Sequence, residues 1–399
     1  MLVSAPHNLI RTDVTKLPDY NAGLALDLFK ATYGINCLAK LDSNESPLGP
    51  LPRAIAAMQD AAAGVGRYPD AANTALRDLI AKTVGTNKDN IIFGNGSEDL
   101  IGALFRAVIR PQDQVVTICP SFGLHEFGAM MFGAHVTKVP FNSDWSFPVE
   151  GLCDALRNKP RVLIFSSPSN PAGPVITEAE FRQVISAADP ETFICFDEAY
   201  VEFVEEDNRF DALAILAETG KPSIVLRTFS KAYGLAGARV GYGIASDPLL
   251  IKALMKTRNP FGVNALAACA AVEAIGDTAH LDQVVKLATL ERKRVSAALA
   301  DKGFASAPTQ TNFVFFDTGA PASILAENLR NKGVLIKAWQ EAPFENWARV
   351  TMGSPAENDL FLNALSIYED RFHIAGLIPN GNKRGVPTSC LTPRFTTIF

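Results

Sequence analysis

A chain of 399 residues, 48% hydrophobic and 20% charged, is long enough to bury a sizeable core and to divide into more than one domain. Its formal net charge of −5 excludes a general affinity for nucleic acid, and its six scattered cysteines, with no Cys-x-x-Cys, exclude a disulfide framework or a zinc site. No stretch reaches the roughly 18 apolar residues of a membrane helix, and residues 1–10 lack a basic start before a long apolar core, so a cytoplasmic enzyme is expected.

Residues 1–50 are loop-rich and end in Asp42-Ser43-Asn44-Glu45-Ser46-Pro47-Leu48-Gly49-Pro50, a density of turn formers that marks an ordered turn. Taken alone it reads equally as a domain connection or a binding loop. A helix is predicted over 52–62, followed by Arg67-Tyr68-Pro69 in a loop. Residues 90–93 read as a short strand that runs through Gly94-Asn95-Gly96-Ser97-Glu98-Asp99 into a helical pattern over 100–108. Glycines between strand and helix expose N–H groups where an anion can sit. Asp99 stands where a dinucleotide fingerprint needs its third glycine, so this is a phosphate seat and a poor Rossmann motif. The strand over 115–118 ends near Phe122, an aromatic that can cover a planar ring or simply pack in the core.

Strands over 161–165 and 193–196 follow, and they end in Asn170 and in Asp197-Glu198-Ala199-Tyr200. Thr177 and Glu180 form a capping box that starts the helix between them. The run 223–227 is a further buried strand, leading into Thr228-Phe229-Ser230-Lys231 and, eight positions beyond the lysine, Arg239. A buried lysine is rare unless paired or chemically used. Hydroxyls at Thr228 and Ser230, with Arg239, can hold a phosphate beside it, which suits a lysine bound to pyridoxal phosphate as a Schiff base. Three strands thus end in polar signatures, and in open α/β sheets the ligand crevice lies outside the carboxyl ends of the strands. A metal at Asp197 and Glu198 is excluded: adjacent strand residues face opposite sides, and none of the five histidines has ligand spacing.

The remainder is predicted as a strand over 240–245, long helices over 266–275 and 282–300, and strands over 311–316, 334–337 and 347–352 of a second, smaller domain. Arg349 lies inside an otherwise apolar run and needs a carboxylate or phosphate partner, as an ion pair or as a substrate clamp. Residues 371–399 carry four basic residues and no acid, and read as a weakly ordered tail.

Taken together, Ser43-Asn44-Glu45-Ser46-Pro47-Leu48-Gly49, Arg67-Tyr68-Pro69, Gly94-Asn95-Gly96-Ser97-Glu98, Ser169-Asn170-Pro171-Ala172-Gly173, Asp197-Glu198-Ala199-Tyr200, Thr228-Phe229-Ser230-Lys231, Arg239 and Arg349 resemble the class I/II, fold-type-I pyridoxal-phosphate-dependent aminotransferases. Within them the chain resembles the histidinol-phosphate aminotransferase group, from about Tyr20 to Leu365. The resemblance implies an α/β, three-layer fold. Residues 51–269 would form a large cofactor-binding domain around a mostly parallel seven-stranded sheet. Residues 1–50 and 270–370 would form a smaller α+β domain, leaving 371–399 as the tail.

It also implies roles. Lys231 forms the aldimine with the cofactor and moves a proton, Asp197 pairs with the pyridine nitrogen, and Asn170 and Tyr200 bond the ring oxygen. Phe122 stacks on the ring where relatives often carry Tyr or Trp. Gly96, Ser97 and Glu98 backbone groups, with Thr228, Ser230 and Arg239, hold the phosphate, and Tyr68 reaches the cofactor of a partner subunit in a homodimer. Arg349 clamps the substrate carboxylate, while Tyr20 and the Asn44 loop close over it. Members that bind histidinol phosphate usually carry an arginine shortly before the clamp. Here Lys337 is the nearest match, and Trp339 and Phe344 in the segment between could favour an aromatic side chain. The expected reaction moves an amino group between an amino acid, histidinol phosphate or an aromatic one, and a 2-oxo acid such as 2-oxoglutarate. A decarboxylase of the same fold, like threonine-phosphate decarboxylase, shares these motifs and stays open.

Overall fold

The computed structural model describes residues 9–19 and 23–374, with side chains through 365. Seven strands form the large sheet: β2 (Ile91–Gly94), β3 (Gln114–Cys119), β4 (His135–Pro140), β5 (Val162–Ser166), β6 (Phe193–Asp197), β7 (Ser223–Thr228) and β8 (Gly241–Ala245). Their order is β2-β8-β7-β6-β5-β3-β4, and β8 alone runs against the others. Parallel strands need crossovers, and helices placed on both faces bury both. The sequence shows how this works. Along β5, Leu163 and Phe165 join one apolar cluster, while Val162 and Ile164 join the cluster on the opposite face. On β6, Ile194 and Phe196 alternate with Phe193 and Cys195 in the same way. The apolar run is continuous because neither face meets water.

Two smaller sheets complete the described residues. β1 (Ala39–Lys40) pairs in parallel with β10 (Val334–Leu335). β11 (Lys337–Ala338), β12 (Trp347–Thr351) and β9 (Phe313–Asp317) form an antiparallel three-stranded sheet in that order. The single strand predicted over 334–337 is therefore split at Ile336 between two sheets. Side chains from β9, β12 and the helices Thr278–Asp301 and Ala322–Arg330 fill a separate core around Phe316, Leu329 and Phe361. Phe315, Phe344 and Trp347 instead pack into the cluster of Phe165 and Phe196, so apolar contact joins the small sheet to the large one. Burying each such ring is worth roughly 1.5–3 kcal/mol, and that join fixes the wall between them.

The helix Glu178–Ala187 starts with the expected capping box, Thr177 and Glu180 each satisfying the other's backbone N–H. The last helix, Pro355–Ile374, runs past residue 371, so the tail begins later than its composition suggested; residues 375–399 lie outside the described residues. Among the described residues no helix is long and apolar enough to cross a membrane.

Candidate active site

The parallel strands deliver their carboxyl ends to one edge, and a cavity of about 970 Å³ opens there. Residues 42–45 and the β11–β12 arm close its far side. Of the residues singled out from the sequence, Gly96, Ser97, Glu98, Phe122, Asn170, Asp197, Tyr200, Thr228, Ser230, Lys231, Arg239, Asn44, Lys337 and Arg349 all line it. Tyr20 falls outside the described residues. Tyr68 does not line the cavity: it is 83% exposed and stacks on Phe261 with ring centroids 4.7 Å apart. Trp339 faces the cavity, whereas Phe344 is buried in the core against Trp145 and takes no part in the lining.

Lys231 lies three residues beyond the end of β7, and its Nζ donates to the Ser43 carbonyl at 3.2 Å. Burial, and then the Arg349 charge, lowers its pKa to about 8. The amine is therefore neutral in about one molecule in ten at pH 7, against a negligible fraction for an ordinary lysine. Asp197 ends β6 and is buried, with Oδ1 accepting from the Ala199 N–H at 3.1 Å. Its neighbour Glu198 turns the other way and binds Arg227 at 2.7 Å, as strand alternation requires. Among the described residues no group of three or more His, Cys, Asp or Glu is gathered to hold a metal.

Sequence reasoning missed His125. It lies fully buried on the helix Gly123–Met130, with Nε2 at 3.2 Å from Asp197 Oδ2 and Nδ1 at 3.1 Å from Ser121 Oγ. A carboxylate only accepts, so with Asp197 ionised the imidazole carries its proton on Nε2 and takes the Ser121 hydroxyl on Nδ1. A buried charge left without partners costs several kcal/mol; here it has two donors. The spacing of Ser121 and His125 was visible, but nothing in the sequence tied them to Asp197.

An anion fits at the opposite corner. Gly96 begins the helix Ser97–Val108 with φ +81°, and a Cβ there would stand 2.5 Å from the Arg239 guanidinium. The helix N-terminus, the Thr228 and Ser230 hydroxyls and Arg239 converge on this space. Arg239 is itself held in the left-handed region at φ 63°, with NH1 at 3.5 Å from Ser230 Oγ and NH2 at 3.4 Å from the Glu98 carboxylate. That carboxylate orients the arginine, so what Glu98 offers an anion is its backbone N–H.

On the far side, Arg349 donates through NH1 to Asn170 Oδ1 at 2.6 Å and through NH2 to the Asp42 carbonyl at 2.8 Å. Lys337 is its cross-strand partner, so two cations stand side by side. Burial, and then Arg349, lowers the Lys337 pKa to about 8. Asn44, buried and in the left-handed region at φ 57°, gives its Nδ2 to Tyr200 Oη at 2.8 Å. Its own Oδ1 accepts from Thr351 Oγ1 at 3.1 Å, so the turn is fixed between the two sheets as a wall.

Comparison with known proteins agrees with this geometry. Residues 38–365 match the family described as aminotransferase class I and II. Histidinol-phosphate aminotransferase 1 of Mesorhizobium japonicum is 45% identical over 91% of this chain and 99% of its own. Histidinol-phosphate aminotransferase 3 of Rhizobium meliloti is 43% identical over 92% of this chain and 99% of its own. Among solved structures, the histidinol-phosphate aminotransferase of Sinorhizobium meliloti in complex with pyridoxal-5'-phosphate superposes with a TM-score of 0.84 at 30% identity. It covers 91% of this chain and 98% of that one.

Proposed function

The chain belongs to the class I and II aminotransferases, transaminases that use pyridoxal phosphate, and from that premise we propose that it transfers the amino group of histidinol phosphate to a 2-oxo acid such as 2-oxoglutarate. The observation that carries the donor is the pairing of Lys337 with Arg349, both of which line the cavity. Two adjacent cations suit a phosphate ester better than a lone carboxylate. Relatives at 45% and 43% identity bear the name of that activity, and nothing favours the decarboxylase.

When bound, pyridoxal phosphate supplies an electron sink for the bond that breaks at the donor's α-carbon. The chain's own residues do the rest. Asp197, held by His125 and the Ala199 N–H, would face the ring nitrogen and favour its protonated form. Phe122 would cover one face of the ring, and Asn170 and Tyr200 would bond its oxygen. The Gly96, Ser97 and Glu98 backbone, with Thr228, Ser230 and Arg239, holds the cofactor phosphate. Lys231 Nζ, its pKa lowered to about 8 by enclosure, takes the proton from the donor's α-carbon in its neutral form. Arg349 and Lys337 grip the donor's acidic end, and Asn44 walls off water. The exposed Tyr68 reaches the cofactor of a second subunit in a cytoplasmic homodimer.

The test is amino transfer by the purified holoenzyme from histidinol phosphate to 2-oxoglutarate, followed by glutamate formation and by the cofactor's absorbance. Glutamate formation with the matching spectral cycle is expected. Carbon dioxide release without amino transfer, or transfer only from other donors, would sink the reading.

A further inference from the structure

One charged wall of the cavity has no part in the assignments above. Glu126 stands on the helix Gly123–Met130, Lys138 on β4, and Glu341 on the segment between β11 and β12. Lys138 Nζ meets Glu341 Oε1 at 2.8 Å and Glu126 Oε1 at 3.2 Å, so two carboxylates share one ammonium. All three line the same cavity as Lys231 and Arg349. The side chains of Glu126 and Glu341 are only 15% and 23% exposed, which limits screening by solvent.

Burial raises the Glu126 pKa, Lys138 opposes the rise and Glu341 adds to it. For Lys138 burial works against the charge, but the Glu341 bond and both carboxylates outweigh it and raise the pKa. The lysine thus stays charged, and the trio keeps an acceptor surplus that its internal bonds do not use. Trp339, from the same segment as Glu341, also faces the cavity, and its buried indole nitrogen has no hydrogen-bond partner among the described residues. An aromatic face beside carboxylate acceptors suits a planar ring that carries N–H groups.

We propose that Glu126, Lys138 and Glu341 form the element that selects the donor's side chain, accepting the N–H of an imidazole ring that packs against Trp339. Lys138 sets the orientation of the two carboxylates. The donor then spans from a cationic pole, Arg349 with Lys337, to this acidic one. The inference rests on the transaminase reading and on Arg349 binding the donor's acidic end. A phenyl ring of similar size would bury the same surface and leave the carboxylates without a partner. Sites built to bond a polar group reject the analogue that lacks it far more strongly than apolar pockets reject a change of size.

The experiment compares L-histidine with L-phenylalanine as donors to the holoenzyme, followed by cofactor absorbance, in wild type, Glu126→Gln and Glu341→Gln. Both donors carry the same α-carboxylate, so the Arg349 end is held constant. Wild type should prefer L-histidine by roughly tenfold or more in kcat/KM, and each variant should lower that ratio by roughly tenfold, mainly through the KM for L-histidine. Equal losses for both donors would assign the trio a structural role and overturn the proposal. So would a wild type that prefers L-phenylalanine, a reading that needs no variant to fold. Histidinol phosphate, run alongside, separates the two readings. An enzyme inert toward it whose histidine preference still collapses in the variants loses the proposed donor and keeps the element. One that accepts it with a ratio unmoved by either substitution keeps the donor and loses the element.

Discussion

Asp197 and Lys231 stand at the ends of adjacent parallel strands in the large sheet, whereas Lys337 and Arg349 face each other across an antiparallel pair in the small one. Both lysines have their pKa lowered to about 8, and in both burial leads and Arg349 follows. The same shift serves opposite ends. At Lys231 it makes a neutral amine available, which the proposed reaction uses to take a proton. At Lys337 it weakens a cation, which an arriving anion restores. At these two positions the same lowering comes from burial beside Arg349, and the partners of each lysine decide what it can do.

The largest effect that separates the two ends is expected from Lys231→Ala. A proton-transfer group contributes roughly 10²–10⁴ to the rate, so kcat should fall by about that factor, with cofactor absorbance altered even without donor. Turnover near wild type would remove Lys231 from the chemistry. Arg349→Lys keeps the charge and loses the two-pronged guanidinium. A charge-assisted hydrogen bond is worth roughly 1.5–3 kcal/mol, so kcat/KM should drop by roughly ten- to a hundredfold, mostly through KM. An equal fall in kcat would move Arg349 to the cofactor end of the comparison.

His125→Phe probes the missed residue. It removes one of the donors to Asp197 and should lower kcat by roughly tenfold. His125→Gln, which can still donate, should restore part of it, and no difference between the two would make His125 mere packing. The smallest effect is one of pH. Lys337 is charged below about pH 8 and neutral above it, so kcat/KM for histidinol phosphate should decline through that range by a few-fold. Lys337→Arg, which stays charged, should move the decline to higher pH. A limb that does not shift would assign it to another group.

Most of the strand-end lining of the cavity was legible in the sequence because these side chains lie on, or within a few residues of, the strands that place them. An apolar run such as Phe193–Asp197, buried on both faces, can end in a charge only where the sheet edge opens to a ligand. The donor end gave weaker signals. Lys337 and Arg349 were visible as basic residues in apolar surroundings, yet their direct opposition depends on a two-residue strand, β11, whose start the sequence joined to β10 as a single strand. Phe344 showed the limit of motif reading, since an aromatic near a substrate loop and an aromatic in a core look alike until packing is known.

By itself the sequence determined the fold class, the cofactor and most of the residues that line the cavity at the strand ends, because strand burial and terminal polarity are local properties. Tertiary structure alone decided which distant groups share a wall. The contacts of His125 with Asp197, Arg349 with Asn170, and Lys138 with Glu341 join residues separated by 72, 179 and 203 positions. No periodicity reports contacts of that range. They exist because parallel crossovers bring all the strand ends to one edge, and the apolar join at Phe315 and Trp347 then sets the small sheet against it.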